Sequence, residues 1–488
     1  MRPISCPTLR SARIARRHAA AALLCAAALQ LAGCGDQGGR GEVTKAEPGT
    51  IPATPQRPGD PDAGYDALVN RSVVTCGIPY RAYAASTGAP APEYPLPGRR
   101  GRNAELPYSM TAFTADSGVE LVTSNCLGCH AAPLNGELVI GLGNEFLDFT
   151  GDPVMAAEAV GTYVETDAEA AEWQRWADRI TAIAPWSMTD TIGANPAQPI
   201  TLALMAHRYP KTLAWSDEPL MRPPPTELLP ASVPPWWNVG KKHAMFYDGA
   251  GRGDHVRYMM LASTVCTDSV DEARSIDAWF KDVRAYLASL EPPAYPYPVD
   301  RALAAEGQEV FLSECKECHG RYGRLDGGGH EYYPNKLIAL DDVGTDPRMA
   351  RKAYRDADRF IRWFNQSFYG EDSDTQPGLG YVAPPLDGVW ATAPYLHNGS
   401  VPTLAALLNS HARPTYWRFE GTDPDYDTGA LGWSYRALEQ GREQFASLDE
   451  QKWVYDTTRP GYGNHGHDFG DELTDSERRA LLEYLKTL

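Results

Sequence analysis

The chain is short of positive charge, of long apolar runs, and of methionine in its last third. Its 45 lysines and arginines stand against 63 aspartates and glutamates, a formal net charge of −18. Such a surface repels nucleic acid and anionic lipid and suits basic partners or uncharged substrates, so no nucleic-acid partner is expected. No apolar run reaches the ~20 residues that cross a bilayer; AAAALLCAAALQ at 19–30 is too short. Neither of the two CxxC pairs has another close by, which a four-cysteine zinc site would need. From 320 to 488 Met349 is the only methionine. At 43% hydrophobic and 22% charged, the 488 residues are otherwise of ordinary globular composition, enough for roughly two to four domains.

Arg2, Arg10, Arg13, Arg16 and Arg17 precede the apolar run, and LAGC follows at 31–34. That is the order of a basic region, an apolar region and a cleavage site. LAGC resembles a bacterial lipobox, so 1–33 read as a lipoprotein signal peptide and Cys34 as a lipid-bearing N-terminus. The expected location is the periplasm or cell envelope of a bacterium, with a lipid anchor to membrane. An ordinary signal peptide with a chance cysteine is the alternative. Residues 34–64 are Pro, Gly and polar throughout and predict a flexible tether with a reach of roughly 30 Å.

Of nine cysteines, Cys6 and Cys25 lie in the signal and Cys34 takes lipid. Four of the remaining six form SNCLGCHAAP (124–133) and FLSECKECHGRYG (311–323), each a CxxCH. Two thiols two residues apart can add across the two vinyl groups of one porphyrin, and the next residue then supplies the proximal imidazole. Two such motifs in an exported chain predict two covalently attached haem c groups, on Cys126, Cys129 and His130 and on Cys315, Cys318 and His319. Cys76 and Cys266 remain, and in an oxidising compartment an even remainder reads as a disulfide, with two buried free thiols as the alternative.

Each CxxCH is followed at a distance by an amphipathic helix: SIDAWFKDVRAYLASL (275–290) and LTDSERRALLEYLKTL (473–488). Apolar residues recur three and four apart in both, and Thr474 with Glu477 forms a capping-box pattern. A helix running into the haem motif and crossed by a terminal helix is the cytochrome c core. The prediction is a mainly α fold of two cytochrome c-like haem domains, 65–295 and 299–488, with long irregular loop insertions and few short strands. The four prolines of EPPAYPYPVD (291–300) mark the joint. The insertions include 221–260 and GYVAPPLDGVWATAPYLHNGSVPTLAALL at 380–408.

The stretch 380–408 resembles the second-domain signature of bacterial di-haem cytochrome c peroxidases, a superfamily that also holds a methylamine-utilisation enzyme and the rubber oxygenases. PPWWNVGKKHAMFYDGAGRGDH (234–255) and GNHGHDFGDELTDSERRALLEYLKTL (463–488) are more similar to the rubber-oxygenase branch. The resemblance implies two haems with unequal work. One is six-coordinate and stores or relays an electron, and the other keeps a position open for peroxide or dioxygen. In that branch the N-terminal haem is the open one and the C-terminal haem takes a second histidine. The peroxidase likeness also allows a calcium ion between the domains.

Within the second half, candidate sixth ligands are His467 first, then His397, His465 and Met349; His330 and His411 complete the histidines there. Bis-histidine ligation lowers a haem's potential relative to His/Met. Gly466 and Gly470 beside His467 would let backbone approach a porphyrin. In the first half His207, His243 and His255 are assigned no ligand role. Phe246 and the Trp236–Trp237 pair are candidates for the reactive pocket, and Trp237 and Trp390 for an electron relay between haems. These features predict an oxidoreductase acting with peroxide, or with oxygen on an organic substrate, and served by a periplasmic electron donor or acceptor. The competing reading is a di-haem electron carrier without catalysis. The length of the first-half insertion favours a built pocket, hence the enzyme.

Overall fold

A computed structural model describes residues 43–89, 91–323, 330–421 and 424–488. The signal peptide, Cys34 and the first part of the tether lie outside the described residues.

Two helix pairs carry the architecture. Helix α1 (Pro61–Asn70) starts at Asp60, whose carboxylate accepts from the Asp62 and Ala63 amides, with Pro61 at the first helical position. Three helices, α2 (Pro153–Gly161), α3 (Asp167–Ser187) and α4 (Ala197–Ala206), fill the first insertion. Helix α5 (Val270–Ser289) is capped by Ser269 and buries Ile276, Phe280, Val283 and Leu287 on one stripe. Each such side chain contributes about 1.5–3 kcal/mol relative to exposure. Helices α6 (Arg301–Glu314) and α7 (Asp475–Leu485) form the second pair, capped by Asp300 and by a Thr474–Glu477 capping box.

Both pairs cross at a glycine. A Cβ on Gly64 of α1 would lie 1.9 Å from the Asp282 carbonyl oxygen of α5, and one on Gly307 of α6 would lie 1.9 Å from that of Ala480 of α7. Backbone therefore touches backbone at each crossing, as no other residue would allow. Around them the chain forms short ladders. The described residues are 39% helical and 14% strand, so the fold is mixed rather than mainly α. No strand exceeds five residues among those described.

The halves interlock more than two separate domains would. Phe360, Trp363 and Phe364 from the second half share a core with Leu127, Val256 and Phe280. Trp237 and Leu142 from the first share a core with Phe311, Trp390 and Tyr484. Strand Gly251–Gly253 pairs with Ser373–Thr375 across the halves. The first half also begins earlier than residue 65, because α1 starts at Pro61. The predicted tether is anchored from residue 43 onward. Lys45 bonds Asp358, Gly49–Thr50 pairs with Lys336–Leu337, Ile51 is buried, and Arg57 bridges Asp254 and Asp277. A polar segment becomes ordered here because its few basic and apolar side chains find fixed partners.

In the second half α6 runs straight into its CxxCH, as the sequence predicts. In the first, residues 71–125 intervene and form a three-stranded antiparallel sheet, with Glu120–Ser124 between Ile78–Pro79 and Met110–Thr114. Cys126 therefore follows a strand. Cys76 and Cys266 are joined as a disulfide with Cα atoms 5.7 Å apart. Beside it Asp268 accepts from Arg175, Arg179 and Arg208. Among the described residues no helix is long and apolar enough to cross a membrane.

Candidate functional site

Each CxxCH forms one helical turn, Leu127–His130 and Lys316–His319. The His130 amide donates to the Cys126 carbonyl at 3.1 Å and the His319 amide to that of Cys315 at 3.0 Å. All four thiols are free. Burial pushes Cys126 and Cys129 up to about 11 and Cys315 up to about 12. A redox dithiol needs the opposite shift, toward thiolate. Among the described residues no three His, Cys, Asp or Glu side chains converge as a metal site. An iron here would need a porphyrin to supply its remaining ligands.

The imidazoles support that fit. His130, His319 and His467 are enclosed by protein yet keep partial solvent access. His319 Nδ1 lies 3.0 Å from the Pro384 carbonyl. A proton held on Nδ1 leaves the Nε2 lone pair for a metal. The Pro234 backbone faces His130 in the same manner, although Nδ1 lacks a hydrogen bond of full geometry. Burial lowers both histidines, His130 to about 4, so each is neutral, the form that ligates.

These two acceptors belong to a repeat that the sequence reading missed. Pro234–Pro235 corresponds to Pro384–Pro385, and the same constant offset carries through the next hairpin. Met245 bridges Gly251 as Tyr395 bridges Val401. Phe246 and Leu396 both have φ of 69°, and Gly249 and Gly399 have φ of 62° and 68°. The signal was present as paired prolines, Val239 with Val389, and Gly249 with Gly399. The two copies lie in segments, 221–260 and 380–408, that read in the sequence as insertions of separate halves.

Beyond the repeat the sites diverge. His467 faces His319 with ring centroids 6.1 Å apart. Two metal–imidazole bonds of about 2 Å, with half a ring on each side, need roughly that separation. Burial first, with the nearby Arg413 charge adding to it, lowers His467 to about 4. The other candidate ligands point elsewhere. His397 is buried and stacks on Tyr381 at 4.0 Å. His465 abuts Gly463, and Met349 packs against an apolar cluster with Leu340 and Tyr381. Gly466 and Gly470 do not make room for a porphyrin as expected. They press on the backbones of Gly344 and Leu408.

His130 instead stacks on Trp236, 4.5 Å between centroids and 17° between planes. Trp237, proposed for the pocket, turns the other way and donates Nε1–H to the Asp387 carbonyl at 2.7 Å. Phe246 is 52% exposed and meets Tyr258 edge-on. Trp390 is buried among Tyr295 and Tyr426. Lys242 is enclosed near His130, and burial brings it down to about 8. Arg284 Nε is buried without a partner, and both cations act on His255. The Lys242 ammonium beside His130 fits a carboxylate of a haem.

Residues 380–418 match the family described as RoxA-like, cytochrome c-like, the stretch that holds Pro384 and the second hairpin. Two proteins of Sinorhizobium fredii (strain NBRC 101917 / NGR234) are also similar. Uncharacterized protein y4iJ is 30% identical over 292 residues, 47% of this chain and 47% of that protein. Uncharacterized protein y4iM is 29% identical over 295 residues, 52% of this chain and 64% of that protein. The chain thus spans about half the length of the first relative and under two thirds of the second. A cytochrome c-like domain implies covalently bound haem c and suggests a haem-binding oxidoreductase.

Proposed function

We propose that this chain is an envelope di-haem c-type oxidoreductase in which the first site reacts with peroxide or dioxygen and the second stores or relays an electron. The observation carrying the reading is the asymmetry of the two imidazoles: His319 faces His467 at 6.1 Å, and His130 faces an indole. Cys126, Cys129 and His130 would hold one haem, and Cys315, Cys318, His319 and His467 the other. The bound haems supply the redox chemistry. The chain's own residues keep both proximal imidazoles neutral, orient His319 through Pro384, and close the second site to small ligands with His467. Between the sites, Trp236 lies on His130, Trp237 follows it in the chain, and the Trp237 indole bonds Asp387, three residues from Pro384. That short route suits electron transfer. The rubber-oxygenase likeness points to an olefinic substrate, the peroxidase likeness to peroxide reduction. Cys34 would anchor the body to a membrane, near a periplasmic electron donor or acceptor.

The test is an intact mass with two haems, followed by EPR and CO-difference spectra and turnover with peroxide and with oxygen plus polyisoprene. One low-spin and one ligand-accessible haem are expected. Two low-spin haems that bind neither CO nor peroxide would make the protein an electron carrier.

A further inference from the structure

We infer that Arg413 is the positioning residue for His467, its guanidinium fixing the loop that sets this imidazole opposite His319. The inference rests on the proposed role of His467 as second axial ligand. Arg413's side chain is 3% exposed. Nη1 donates to the carbonyls of Asn464 at 2.7 Å and Gly466 at 2.6 Å. Nη2 donates to those of His467 at 3.1 Å and Leu407 at 3.0 Å, and Nε to that of Ala406 at 3.1 Å. One planar fork therefore ties three carbonyls of the histidine loop to the helical turn Leu404–Leu407. That turn is itself fixed by Thr403, which accepts from the Ala406 amide.

The loop needs such a clamp. His467 has φ of 51°, a left-handed conformation that a non-glycine residue keeps only when its surroundings over-determine it. Two further ties act on the backbone: the His467 amide donates to the Val343 carbonyl, and Asn398 Nδ2 donates to the carbonyls of Gly461 and Gly463. Arg413 Nη2 reaches the carbonyl of His467 itself. Its nearest carboxylate, Asp468, is 3.6 Å away and more than half exposed, so the fork is spent on carbonyls. A lysine would carry the charge and lose the geometry, since its donors radiate from one nitrogen.

The experiment compares the haem-loaded wild type with His467→Ala, Arg413→Met and Arg413→Lys by low-spin EPR signal, with and without added imidazole. Arg413→Met is expected to lower the second haem's low-spin population by about tenfold or more, with Arg413→Lys intermediate. Added imidazole should restore the signal in both, and CO binding at the first haem should be unchanged. Should Arg413→Met fold poorly, Arg413→Lys still reports through its spin state and through faster amide exchange at His467. If His467→Ala loses the signal and neither Arg413 variant does, the inference is overturned and the ligand assignment stands. A loss that imidazole cannot restore, with both haems disturbed, overturns it too, since that marks a general structural role. If His467→Ala keeps the signal, the assignment itself fails and Arg413's role falls with it.

Discussion

His319 has a second imidazole 6.1 Å away, and His130 has an indole 4.5 Å away. On the proximal side the two turns are built alike, each with a proline backbone addressing the imidazole at the same place in a repeated segment. The difference lies in what the chain adds later. Downstream of the second repeat come Arg413 and the loop carrying His467. Around the first come Trp236 and the enclosed cation Lys242. A repeated proline-and-hairpin segment thus addresses both CxxCH turns, and the segments around each turn differ.

The largest effect expected from breaking this asymmetry is that of His467→Ala. It should convert the second haem from low to high spin and open it to CO, while the first haem keeps its ligand response. Absorption and EPR spectra check it, and an unchanged low-spin signal would mean that another residue ligates.

Next come the helix crossings, which test whether the two halves are equally constrained. Gly307→Ala and Gly64→Ala each place a methyl group 1.9 Å from a carbonyl oxygen. Overpacking of this kind costs about 1–3 kcal/mol or more, and thermal unfolding should show similar losses for both. A loss for Gly307→Ala alone would mean that α1 is dispensable to the first half.

A smaller effect is expected at Asp268. Burial would raise this carboxyl, but hydrogen bonds from Arg179 and Arg175 and the charge of Arg208 outweigh it and hold it below its ordinary value. Its stabilising contribution is therefore full above the ordinary aspartate range and is lost as pH falls through the lowered folded value. The side chain is 33% exposed, so Asp268→Asn should cost about 1–2 kcal/mol near neutral pH, less than a fully buried pair would. Denaturant unfolding at neutral and acidic pH should show the variant and wild type converging in acid.

Both CxxCH turns and the capped terminal helices were legible in the sequence because each depends on local spacing. The glycine crossings were not, since Gly64 and Gly307 matter only through residues far along the chain. The order in 43–64 was missed for the same reason: Lys45, Ile51 and Arg57 look like scattered tether residues until Asp358, Asn335 and Asp254 are placed against them. The mixed fold came from short ladders whose strands carry too few residues to show alternation. Trp236 and Trp237 read as a pair in the sequence, but backbone geometry alone decides which indole meets His130.

That pair gives the mildest test of the comparison. Trp236 stacks on His130 within the first site, whereas Trp237 reaches out of it to the Asp387 carbonyl. Trp237→Phe keeps most of the buried ring volume and removes one buried hydrogen bond, so a stability loss of about 1–2 kcal/mol is expected. The spin states of both haems should persist, because neither imidazole is touched. Electron exchange between the sites should slow, since the indole N–H is the direct link from the first repeat's tryptophan pair to the segment that holds His319. Trp236→Phe should do the reverse and perturb the first haem's ligand binding while leaving exchange closer to wild type. Flash photolysis of the CO-bound, partly reduced protein measures both quantities in one sample. If Trp237→Phe leaves the exchange rate unchanged, the route runs elsewhere, and the Trp237–Asp387 bond serves only to lock the two halves together.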